Sequence, residues 1–116
     1  MRRAGLLLAT AGLLGLAALP AAAQGDMTRG QVRSMLVTAL QLDLLARECD
    51  FYMSPAQRVE IARIRKATAD ALELTDAQVG ALRNELDGMI QKDRTRVCLE
   101  DERVYRQTLD ALTQGK

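Results

Sequence analysis

Few side chains in this 116-residue chain have the types and spacing for chemistry. Its two cysteines are Cys49 and Cys98, and its two serines are Ser34 and Ser54. Histidine is absent. This removes the usual general base, the commonest metal ligand and the side chain that normally titrates between about pH 5 and 8. A serine nucleophile needs a base to activate it, and Ser54 is better explained as a helix cap. The cysteines lie too far apart for a C-x-x-C redox pair, so disulfide-exchange chemistry is not expected. Carboxylates cluster at Glu100-Asp101-Glu102. Consecutive helical residues point in different directions, so this run reads as a solvated helix face, not a metal cage. Glu102 is spaced to pair with Arg106 at i,i+4. We expect no enzyme, no catalytic residues, no metal and no cofactor.

The leader explains the cysteines. Met1-Arg2-Arg3 is a short positive segment, Ala4 to Leu19 is apolar, and Pro20-Ala21-Ala22-Ala23 offers small residues before Gln24. That is the layout of a secretory signal peptide spanning 1–23, cut after Ala23. The apolar run falls short of the roughly 20 residues of a membrane span, so no stable membrane insertion is expected after cleavage. Residues following the arginine pair fit the twin-arginine route poorly, which leaves general secretion. A periplasmic or secreted location oxidises cysteines, and Cys49 and Cys98 are expected to form a disulfide.

Residues 24–116 then form a single helical domain. Losing Arg2 and Arg3 leaves 14 Lys+Arg against 15 Asp+Glu, a formal charge of −1. A near-neutral domain with only Phe51, Tyr52 and Tyr105 as aromatics has neither the basic surface nor the stacking platforms of a nucleic-acid binder.

Three helix starts share one grammar: Thr28 with Gln31, Ser54 with Gln57, and Thr75 with Gln78. Each pair is a capping box, and Met27, Met53 and Leu74 precede the caps as hydrophobic staples. Pro55 suits a first helical position. The first helix, Thr28 to Cys49, is apolar nearly all round and should be central to a bundle. The second runs from Pro55 to about Glu73. The third starts at Asp76, with Val79, Leu82, Leu86 and Met89-Ile90 on one face. The polar stretch Gln91–Arg96 is either a solvated turn of a long helix or a break before a fourth. Strand signals are nearly absent. The expected fold is all-α, an up-down bundle of three to four helices with one long-range disulfide.

Helix length tests the pairing. Thr28 to Cys49 and Thr75 to Cys98 rise about 32 and 35 Å, so in an up-down-up arrangement the cysteines reach similar heights. A bond between them closes a loop worth roughly 4 kcal/mol in chain entropy. If the third helix is continuous, however, residues 99–112 overhang the body by about 20 Å. Val104, Tyr105, Leu109 and Leu112 then form a candidate interface, covered by another protein or by a second copy of this chain. Alternatively the chain bends near Lys92 to Thr95, and the segment folds back onto Phe51-Tyr52.

The string Leu74-Thr75-Asp76-Ala77-Gln78 resembles the L-T-x-x-Q signature of the Spy/CpxP group of small periplasmic helical proteins, and Met53-Ser54-Pro55-Ala56-Gln57 is a looser copy. The resemblance implies an exported, all-helical chaperone or envelope-stress modulator that binds other proteins without an enzyme site. Two features depart from that group: the copies lie 21 residues apart, and the cysteine pair is not one of its hallmarks. In overall plan the chain is also similar to the Hde-type acid-stress chaperones, small helical domains with one long-range disulfide. The function expected is non-enzymatic protein binding as a chaperone, inhibitor or stress modulator. The alternative is a small-ligand-binding bundle, which requires a cavity lined by Leu and Ile with a few polar groups.

Overall fold

A computed structural model describes residues 27–116. The leader and its cut site lie outside the described residues. Five helices follow in order: α1 (Arg29–Glu48), α2 (Pro55–Ala71), α3 (Asp76–Lys92), α4 (Arg94–Glu100) and α5 (Glu102–Thr113). No strand occurs among the described residues. The count exceeds the three to four helices expected, because the chain turns twice after α3. Asp93 leaves helical geometry at φ −141°, ψ 37°, in the polar stretch where no apolar face holds the helix straight. A second, milder kink falls at Asp101, whose N–H still bonds the Val97 carbonyl at 2.9 Å.

All three capping boxes form. Thr28, Ser54 and Thr75 each accept from the amide of Gln31, Gln57 and Gln78, and each glutamine side chain accepts from its cap's own amide. Helix directions follow from contacts between ends. Arg29 at the start of α1 donates to the Leu72 carbonyl at the end of α2, at 3.0 Å, so these two are antiparallel. Arg83 and Gln91 of α3 reach Asp43 and Glu48 of α1, each at 2.8 Å, so α3 runs parallel to α1. Gln57 of α2 reaches Asp110 of α5 at 3.1 Å, Ser54 donates to the Lys116 carbonyl at 3.3 Å, and Tyr105 reaches the Tyr52 carbonyl, so α5 packs its length against the start of α2 and the chain before it. The helices α1, α2 and α3 thus alternate up and down, and seven-residue α4 connects α3 to α5.

The apolar surface of α1 serves two cores. Met35, Ala39, Leu42 and Ala46 pack with Phe51, Met53, Ile61, Ile64, Tyr105, Leu109 and Leu112. Leu36, Leu40 and Leu44 pack with Leu72, Leu86 and Ile90. Placing α1 between them buries Leu36, Ala39 and Leu40 completely. Asp43 ties three helices together, since Arg65 of α2 and Arg83 of α3 both face its carboxylate, at 3.6 and 2.8 Å. Cys49 and Cys98 are bonded, with Cα atoms 5.2 Å apart.

Candidate functional site: an apolar groove beside the disulfide

The C-terminal stripe is the first place to look for a site, and the fold changes its meaning. Tyr105, Leu109 and Leu112 are buried within this chain, so they present no face to a partner. Folding back places the Tyr105 ring 5.0 Å from that of Phe51, and its hydroxyl donates to the Tyr52 carbonyl at 2.9 Å. Burial pushes the Tyr105 phenol above its ordinary range; Asp43 acts the same way, and Arg106 and Arg58 act against it. Of the four expected interface residues only Val104 stays open, at 56% exposure.

Val104 borders a feature that the sequence did not disclose. α2, α5 and α3 cover three sides of α1, and between α3 and α5 a groove of about 310 Å³ remains. Leu42 and Leu45 of α1 form its apolar floor, beside Thr38 and Gln41. Leu86, Met89 and Ile90 of α3 make one wall. Val104, Tyr105 and Thr108 of α5 make the other, and Val97 of α4 and Asp101 close the end. The disulfide fixes that end, because Cys98 neighbours Val97 in α4. Met89, expected on one helix face with Ile90, stands at the rim, 60% exposed. Its position in the i,i+3 pattern gave a helix face, but not whether that face would meet a neighbour.

Other clefts differ in character. One of about 420 Å³ between α2 and α3 is lined by Arg65, Lys66, Asp70 and Asp76 among others. Another, of about 300 Å³, is bounded by Asp43, Arg47, Asp50, Arg58 and Arg83. Both are charged, whereas the α3–α5 groove joins apolar lining to exposed apolar rims.

The carboxylate run divides among three tasks. Glu100 faces Arg96 at 3.5 Å, and Glu102 faces Arg106 at 3.8 Å. Asp101 instead turns to the groove. Among the described residues, no cluster of three or more His, Cys, Asp or Glu is arranged to hold a metal ion. Ser54 is occupied as the α2 cap and also donates to the Lys116 carbonyl at 3.3 Å. Glu60, hydrogen-bonded chiefly by Arg63 and also by Lys116, is held below the usual carboxylate range despite its burial; it lies on α2, away from the groove. No helix among the described residues is long and apolar enough to cross a membrane. No protein-family model matches the chain, and neither a curated protein nor a solved structure matches it.

Proposed function

We propose that this is an exported, non-enzymatic protein that binds other polypeptides, taking an apolar segment of its partner into the groove between α3 and α5. One observation carries the reading: the groove is open to solvent, and Met89 and Val104 stand exposed on opposite rims. A site built for a small molecule encloses most of its ligand. An open groove with adaptable methionine at the rim suits an amphipathic helix laid along it. The disulfide and the signal-peptide layout support export, and the L-T-x-x-Q resemblance supports a chaperone or stress-modulator role. A small-ligand bundle is the second reading, favoured by the groove's volume, which is at the lower end of small-molecule sites.

The test is suppression of aggregation of a heat-unfolded reporter protein, followed by light scattering. The oxidised protein is expected to suppress it, and Met89→Glu with Val104→Glu to abolish the effect while leaving the helical circular dichroism unchanged. Undiminished suppression by the double variant would move the binding face elsewhere. No suppression, with saturable binding of a small apolar dye lost in the same variant, would favour the small-ligand reading.

A further inference from the structure

We propose that the partner helix is basic, and that Asp101 receives a lysine or arginine from it. This inference rests on the groove reading above and adds the partner's chemistry.

Among the described residues lining the groove, Asp101 alone carries a formal charge. Among the described residues its carboxylate has no hydrogen-bond or ion-pair partner, although the flanking Glu100 and Glu102 each face an arginine. It does not cap α5 either, since no side-chain cap bond forms at that start. Asp101 is already half-buried. A chain laid over the groove would remove still more water from this carboxylate. Burying a carboxylate without a partner is costly, whereas a charge-assisted hydrogen bond offsets the cost. A neutral or acidic helix would leave that cost standing, so the groove discriminates against it. Thr38, Gln41 and Thr108 contribute only neutral polar groups to the same surface, so nothing else in the lining repels a cation. The occupant is therefore a helix with apolar side chains at i, i+3 and i+4, set against Leu45, Met89 and Val104, and a cation at the end nearest α4.

The probes are two synthetic helical peptides of about four turns, with the same leucine ridge and either lysine or glutamate at the polar positions. Binding to the oxidised full chain is measured by calorimetry. The lysine peptide is expected to bind about ten-fold more tightly than the glutamate peptide. Asp101→Asn, and independently Asp101→Ser, should remove most of that preference, whereas Asp70→Asn on α2 should retain it. A merely helix-terminal role for Asp101 would shift the melting temperature and leave the peptide preference intact, which would overturn the proposal. Equal binding of both peptides to the unaltered protein would also overturn it, while leaving the groove reading in place. Binding of neither peptide would overturn both, as would a dimer in solution whose interface protects Met89 and Val104 from hydrogen exchange or oxidation.

Discussion

Tyr105 shows how a single residue's meaning turns on its surroundings. In sequence it belongs to an apolar stripe; in the fold it is 1% exposed, and its hydroxyl reaches the Tyr52 carbonyl. Desolvation raises its folded-state pKa above the unfolded value, which is about 10. The folded protein therefore holds this proton more tightly. The associated stability is fully present below pH about 10 and is lost as pH rises through the folded value. Tyr105→Phe is expected to cost about 1 kcal/mol at neutral pH, the worth of one hydrogen bond. It should also flatten the alkaline fall: urea unfolding at pH 8 to 11 should bring the two proteins closer as pH rises. Parallel curves would show that the phenol does not titrate with folding. Gln57 makes the same point without titrating. Its role in the capping box was legible, but its contacts to Asp110 at 3.1 Å and Thr113 at 3.5 Å were not. They depend on a helix more than fifty positions away.

The starts of the elements were easier to read than their ends. All three capping boxes lie where Ser or Thr precedes Gln by three, because the cap bonds are local. The exits of α1 and α2 carry no glycine, whereas after α5 Gly115, at φ 74°, follows Gln114. Asp50, Glu73 and Gln114 each adopt φ 57° just past α1, α2 and α5, a left-handed conformation usually reserved for glycine. After α2 the amides of Glu73 and Leu74 bond back to the carbonyls of Asp70 and Ala69, at 3.0 and 2.9 Å. α4 is the element most dependent on a covalent tie. It has seven residues, none buried, and no side-chain cap. The disulfide and the contacts from Arg94 to Glu48 hold it. Replacing Cys49 and Cys98 by alanine is expected to cost up to about 4 kcal/mol. Hydrogen exchange should speed up in α4 well before α1 or α2. Unchanged protection across α4 would refute the idea that the bond positions the end of the groove.

At the scale of the molecule, α1 is shared by two cores, so neither side can lose its packing without exposing the central helix. Leu109→Ala tests one core and Leu86→Ala the other. Each is expected to cost about 2–5 kcal/mol, and each should lower the midpoint of one common thermal transition. Two resolved transitions in either variant would mean that the cores melt separately.

The amino-acid sequence by itself determined the helical class, the three capped starts, the central place of α1 and the pairing of Cys49 with Cys98. Capping and amphipathic spacing are local, and two cysteines allow one intramolecular bond. Tertiary structure alone decided that α3 stops at Lys92, that Tyr105, Leu109 and Leu112 turn inward, and that Met89 and Val104 stay outside. An apolar face carries no record of which distant surface will cover it. A groove is the space where a neighbour is missing, and no local pattern encodes that.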